Sequence, residues 1–121
     1  MSKILIVEDD PLILKMYSEK LSRDGYQVDV AEDGLVGLDK LRKNKPDLLI
    51  LDIMMPKLSG TELITEIKKD INLEKIPIIV LSNLTEGSEI EKAKKMGIAE
   101  YLIKSDLDPE DVSNAVRKYL K

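Results

Sequence analysis

Short aliphatic runs alternate with helix-period stretches along the whole chain, and this alternation restricts the fold more than any other feature of the sequence. Ile4 to Val7, Leu48 to Leu51 and Ile78 to Leu81 are unbroken apolar runs, the pattern of parallel strands covered on both faces. Val28-Asp29-Val30 alternates like an edge strand, and Tyr101-Leu102-Ile103 is a short fifth run. Between them lie five amphipathic stretches with clear punctuation. Asp10-Pro11 supplies a cap and a first-turn proline for a helix with Ile13, Met16, Tyr17 and Leu21 inward, stopping near Gly25. Leu35, Leu38 and Leu41 line the second, ending before Pro46, and Leu63, Ile64 and Ile67 line the third. Ile90, Ala93 and Met96 line the fourth, which stops at Gly97. Asp108-Pro109 opens the fifth, with Val112, Ala115, Val116 and Tyr119 inward and Arg117, Lys118 and Lys121 near its negative C-terminal end.

Parallel neighbours need crossover helices, so strict alternation implies an α/β doubly wound parallel sheet of five strands. An edge position for the second strand gives the order 2-1-3-4-5. The 121 residues contain no linker, repeat or low-complexity tract and suffice for one domain, 1–121, that buries roughly two-thirds of its unfolded surface. With the chain beginning at Met1 and its last helix ending at Lys121, no effector domain is expected.

The sequence has no cysteine and no histidine. Acid, base and metal chemistry therefore falls to carboxylates, lysines and hydroxyls. The start, MSKILIVEDD, has too short an apolar core for a signal peptide or membrane span, so the expected location is cytoplasmic, with no membrane partner. A formal charge of −4 argues against general nucleic-acid binding, and Lys92, Lys94 and Lys95 alternate with Glu89 and Glu91 as a solvated helix face.

In a 2-1-3-4-5 sheet, ligands bind outside the carboxyl ends of strands one and three, at the switch in strand order. Glu8-Asp9-Asp10 follows strand one, Asp52 ends strand three, Ser82 strand four and Lys104 strand five. Asp10 reads as the helix cap. Two carboxylates about 4 Å apart repel by roughly 1–4 kcal/mol at effective dielectrics of 80 to 20, so a site holding Asp9, Asp52 and Glu8 wants a proton or a cation. All-oxygen ligands suit a hard ion such as Mg2+. Individually these residues also read as loop acids, a turn hydroxyl and a surface lysine, and Met54 and Met55 as core filler; their meeting at one rim outweighs that.

Four segments, ILIVEDD after Lys3, LLILDIMMPKLSG from Leu48 to Gly60, IIVLS from Ile78 to Ser82, and Tyr101-Leu102-Ile103-Lys104, strongly resemble the response-regulator receiver domain, the CheY-like partner of histidine kinases. The resemblance covers essentially the whole chain. It implies a flavodoxin/CheY-like (βα)5 fold and a phosphorylation-activated switch rather than a turnover enzyme. Asp52 would be the phosphoacceptor, fed by a histidine kinase or histidine phosphotransfer protein. Asp9 and Asp52 would bind Mg2+ directly, Glu8 through water, with the Met54 carbonyl completing the ligands. Ser82 and Lys104 would hold phosphoryl oxygens, Pro56 and Gly60 would shape the loop beneath the site, and Tyr101 would change exposure with Ser82. The helix 4/strand 5/helix 5 face would then engage an effector or a second copy.

Two positions depart from the family pattern. Ser105 stands where proline usually follows the lysine, and a cis bond before a non-proline residue costs about 2.5–4 kcal/mol against 0.5–1 before proline; this leaves the bond open between cis and trans and the placement of Lys104 with it. Asn83 stands where a small residue is common, and its side chain could narrow access to Asp52. Three other functions fit less well. A flavin carrier would lack tryptophan and phenylalanine for a sandwich, a haloacid-dehalogenase-type phosphatase would want D-x-D where this chain has Asp52-Ile53-Met54, and a phosphorylation-independent interaction module would bind its partner unchanged in Asp52→Asn.

Overall fold

The unbroken aliphatic runs become the middle of one parallel sheet. The computed structural model describes residues 1–120, so Lys121 lies outside the described residues. Strand β1 (Lys3–Val7) pairs with β2 (Gln27–Ala31) on one side and β3 (Leu48–Leu51) on the other, and β4 (Ile78–Ser82) and β5 (Glu100–Ile103) follow, giving the order 2-1-3-4-5. Every residue of β3 and β4 is buried, as is β1 beyond Lys3. β2 alternates as an edge strand should, and β5 is half-buried along its length.

Because successive side chains point to opposite faces, the runs split into two cores. Ile4, Ile6, Leu48, Ile50, Ile79 and Leu81 pack under α1 (Pro11–Arg23) and α5 (Pro109–Arg117). Leu5, Val7, Leu49, Leu51, Ile78 and Val80 face the other way, under α2 (Gly34–Lys43), α3 (Gly60–Lys69) and α4 (Ser88–Lys95). The Asp10 carboxylate accepts the Leu12 N–H at 3.0 Å with Pro11 in the first turn, and Asp108 and Asp111 cap α5 reciprocally. Gly25, at φ +99°, supplies the left-handed residue that follows α1.

Three expected core positions turn out otherwise. In α1 the buried face is Leu14, Tyr17 and Leu21, whereas Met16 is 42% exposed. In α2 Leu35 is exposed, and the buried face is Gly34 against the Leu58 loop, Gly37 against Val7 of β1, and Leu41. A Cβ on Gly37 would sit 2.8 Å from the Val7 side chain, so the close approach needs glycine. Tyr119 lies past the last turn of α5, part-exposed, with its hydroxyl donating to the Ala99 carbonyl at 3.2 Å. No helix among the described residues is long and apolar enough to cross a membrane.

Candidate functional site

The strand registers set the site. Val7 lies opposite Leu51, and one residue further the Asp52 N–H donates to the Val7 carbonyl at 3.1 Å while the Glu8 N–H donates to Ala31 at 3.0 Å. These two bonds carry the ladder past the strand ends and set Glu8 and Asp52 side by side. Both are buried, at 4% and 6% exposure, and Asp9 beside them is exposed. Each of the three offers a carboxylate oxygen, and these lie within 4.8 Å of one another.

Lys104, directly after β5, reaches across this cluster. Its Nζ donates to Asp52 Oδ2 at 3.0 Å and to Glu8 Oε1. Burial pushes the Glu8 carboxyl up to about 7 even though the Lys104 hydrogen bond pulls it down. Burial works against the Lys104 ammonium, but its bonds to Glu8 and Asp52 outweigh that and hold it above its usual value. Three carboxyl groups against one ammonium leave the cluster with excess negative charge, two units when Glu8 is ionised and one when it holds its proton.

Ser82, the last residue of β4 and 1% exposed, completes the rim. Its Oγ accepts the Leu84 N–H at 3.2 Å, while the Tyr101 hydroxyl donates to the Leu84 carbonyl at 2.9 Å. The two residues singled out as the switch therefore meet at one backbone unit, Leu84. Sequence reasoning missed that meeting point, because main-chain hydrogen bonds leave no side-chain pattern.

Gly60 and Pro56 do shape the loop below. The Gly60 N–H donates to the Ile53 carbonyl at 2.8 Å, and a Cβ there would lie 2.5 Å from the Asp52 carbonyl oxygen. Pro56 accepts from the Leu58 N–H at 2.9 Å across Lys57, whose φ of +69° closes a strained three-residue turn. There is no cis peptide bond among the described residues, so Lys104–Ser105 is trans, and Lys104–Asp106 forms a 3-10 turn. Asn83 is exposed and lines a cleft of about 230 Å³ with Asp52, Met54, Ser82, Leu84 and Lys104.

A 2-1-3-4-5 doubly wound sheet with a buried carboxylate, a lysine and a hydroxyl converging at its switch point defines a CheY-like signalling domain. Consistently, the backbone is similar to the solved structure of the chemotaxis protein CheY4 of Vibrio cholerae, with a TM-score of 0.91, 30% identity and 99% of each chain covered. Residues 4–117 match the response regulator receiver domain, and the chain belongs to that family. It is 34% identical over 118 residues to sporulation initiation phosphotransferase F of Bacillus subtilis, covering 98% of this chain and 93% of that protein. It is 36% identical over 119 residues to the probable transcriptional regulator ycf27 of Guillardia theta, covering 98% of this chain but only 45% of the relative. Like its family, the chain is a phosphorylation-activated switch of two-component signalling and not a turnover enzyme. Receiver domains bind Mg2+ at an acidic pocket, and Glu8, Asp9 and Asp52 form such a cluster here.

Proposed function

We propose that residues 1–121 are a single cytoplasmic receiver domain in which Asp52 accepts a phosphoryl group from a phosphohistidine of a kinase or phosphotransfer protein. The observation that carries this is the Lys104 Nζ seated 3.0 Å from Asp52 Oδ2, inside a cleft that Ser82 also lines. The donor set fits a hard dication: it is all oxygen, with no softer atom, and carries excess negative charge. Glu8, Asp9, Asp52 and the Met54 carbonyl would hold Mg2+, which when bound neutralises charge on the phosphoryl oxygens.

The chain's own residues do the rest. An Asp52 carboxylate oxygen attacks phosphorus in line; the P–N bond to the donor imidazole breaks as the P–O bond to Asp52 forms, and the imidazole leaves with the electron pair. Lys104 turns from its carboxylates toward a phosphoryl oxygen and brings its positive charge to where negative charge gathers. Ser82 swings to donate its hydroxyl to another phosphoryl oxygen and in moving leaves the Leu84 N–H that its Oγ accepts. That exchange frees one side of Leu84, whose other side is tied to Tyr101, and the α4/β5/α5 face shifts to engage an effector or a second copy.

Incubation with acetyl phosphate and Mg2+ followed by intact-mass measurement tests this. One phosphoryl group per chain is expected, absent from Asp52→Asn. Phosphorylation persisting in Asp52→Asn, or without Mg2+, overturns the assignment.

A further inference from the structure

The last rung of the β4–β5 ladder pairs Ser82 with Ile103. Beyond it the chain turns, and Lys104 opens the 3-10 turn that the Leu107 N–H closes on the Lys104 carbonyl at 3.2 Å. The first N–H groups of such a turn have no partner within it. One of them, on Ser105, donates to the Asn83 side-chain oxygen at 2.9 Å. Only the amide oxygen can accept there, so the orientation of Asn83 is fixed. The bond also requires a residue with an N–H at position 105, which proline lacks.

Asn83 follows Ser82 and Ser105 follows Lys104, so one hydrogen bond joins the backbone roots of the two side chains that face Asp52 across the cleft. Lysine has four rotatable bonds in its stem, and fixing the root of Lys104 narrows where its ammonium can go. A free loop would leave that root to the 3-10 turn alone.

We infer that Asn83 is a positioning residue: its side chain adds a rung to the sheet beyond β4 and β5, holding the Lys104 turn in register with Ser82 for phosphoryl transfer. This rests on the reading of Asp52 as acceptor. Asn83 lines the cleft but makes no hydrogen bond to Glu8, Asp9 or Asp52 among the described residues, and in this role it acts through the Ser105 N–H.

The test is a double-mutant cycle in the rate of Asp52 phosphorylation by acetyl phosphate with Mg2+, using the wild-type chain, Asn83→Ala, Ser105→Pro and the double variant. Asn83→Ala should slow transfer about threefold, the worth of one exposed hydrogen bond, and should have no effect in the Ser105→Pro background, where no donor remains. Amide hydrogen exchange on Asn83→Ala keeps the inference testable if Ser105→Pro does not fold: exchange at Ser105 should speed up while Leu107 stays protected. A wild-type rate in Asn83→Ala, an equal slowing in both backgrounds, or unchanged exchange at Ser105 overturns the inference. A wild-type chain that takes up no phosphoryl group overturns the proposed function itself.

Discussion

Gly60→Ala tests how tightly α3 is docked under Asp52, the proposed acceptor. Gly60 is not among the glycines with positive φ, which are Gly25, Gly87 and Gly97, so the constraint is space. A Cβ at position 60 would lie 2.5 Å from both the Asp52 carbonyl oxygen and the Ile53 Cα, and 3.1 Å from the Asp52 carbonyl carbon. Carbon atoms sit comfortably at about 3.5–4.0 Å, and all three neighbours are backbone, so no rotamer change relieves the clash. Backing α3 away would stretch the 2.8 Å bond from the Gly60 N–H to Ile53 and disturb the Ser59–Glu62 capping box. Overpacking of this kind costs about 1–3 kcal/mol, and the lower chain entropy of alanine returns about 0.5–1. The difference spans about 0 to 2.5 kcal/mol; with all three close contacts on backbone the upper part is expected, about 1–2 kcal/mol, which in a domain of this size lowers the melting temperature by about 4–8 °C. The clash falls on Asp52 itself, so the same variant should also accept phosphoryl groups more slowly. Gly25→Ala is the control. It sits at φ +99° with nothing within 4 Å of the new Cβ, and should lose stability through backbone strain while phosphorylating at the wild-type rate. A Gly60→Ala chain with wild-type melting and wild-type phosphorylation would refute the reasoning.

Met54 and Leu84 line the cleft beside Asp52, and as apolar groups they offer nothing to orient an attacking water, so the phosphorylated chain should lose its phosphoryl group slowly. Replacing Met54 with Asn and Leu84 with Glu should accelerate that loss at least about tenfold, a barrier change of about 1.4 kcal/mol, followed by mass after donor removal; an unchanged rate would sink the idea. The buried Ser113 hydroxyl donates to the Asp24 carboxylate, and this bond leads the causes that hold Asp24 below its ordinary value. A depressed carboxyl stabilises above its unfolded-state pKa and ceases to do so as pH falls through the folded one. Ser113→Ala should therefore cost about 1 kcal/mol near neutral pH and progressively less below about pH 4, read from urea midpoints. A deficit that does not vary with pH would assign the loss to packing instead.

The sheet was legible because strands buried on both faces must be apolar throughout, and the order of strands then brought Glu8, Asp9, Asp52, Ser82 and Lys104 to one rim with no further information. Other features were hidden for identifiable reasons. A search for leucines along α2 picks Leu35, whereas the helix packs through Gly34 and Gly37, where the useful property is the lack of a side chain. Met16 and Leu14 both fit an amphipathic period, and only the direction of the helix across the sheet selects Leu14. Asn83 and Ser105 each look like an isolated departure from the family pattern. That they answer one another depends on β4 and β5 ending level, which is a property of the sheet rather than of either residue.

The uneven burial of the strands also grades how readily parts of the molecule come apart. Asp52 directly follows β3, a fully buried strand flanked by β1 and β4. Exposing its amides to solvent requires disrupting both cores. β5, like β2, is an edge strand and is half-buried at every residue, so its amides can be released by a small local opening that leaves β1, β3 and β4 intact. In a hydrogen-exchange experiment β3 should report the global unfolding free energy and β5 a smaller one. Because Asp52, the proposed acceptor, follows the buried β3, the energy of new phosphoryl contacts would not be dissipated in deforming that strand and would pass to β5, which opens more easily.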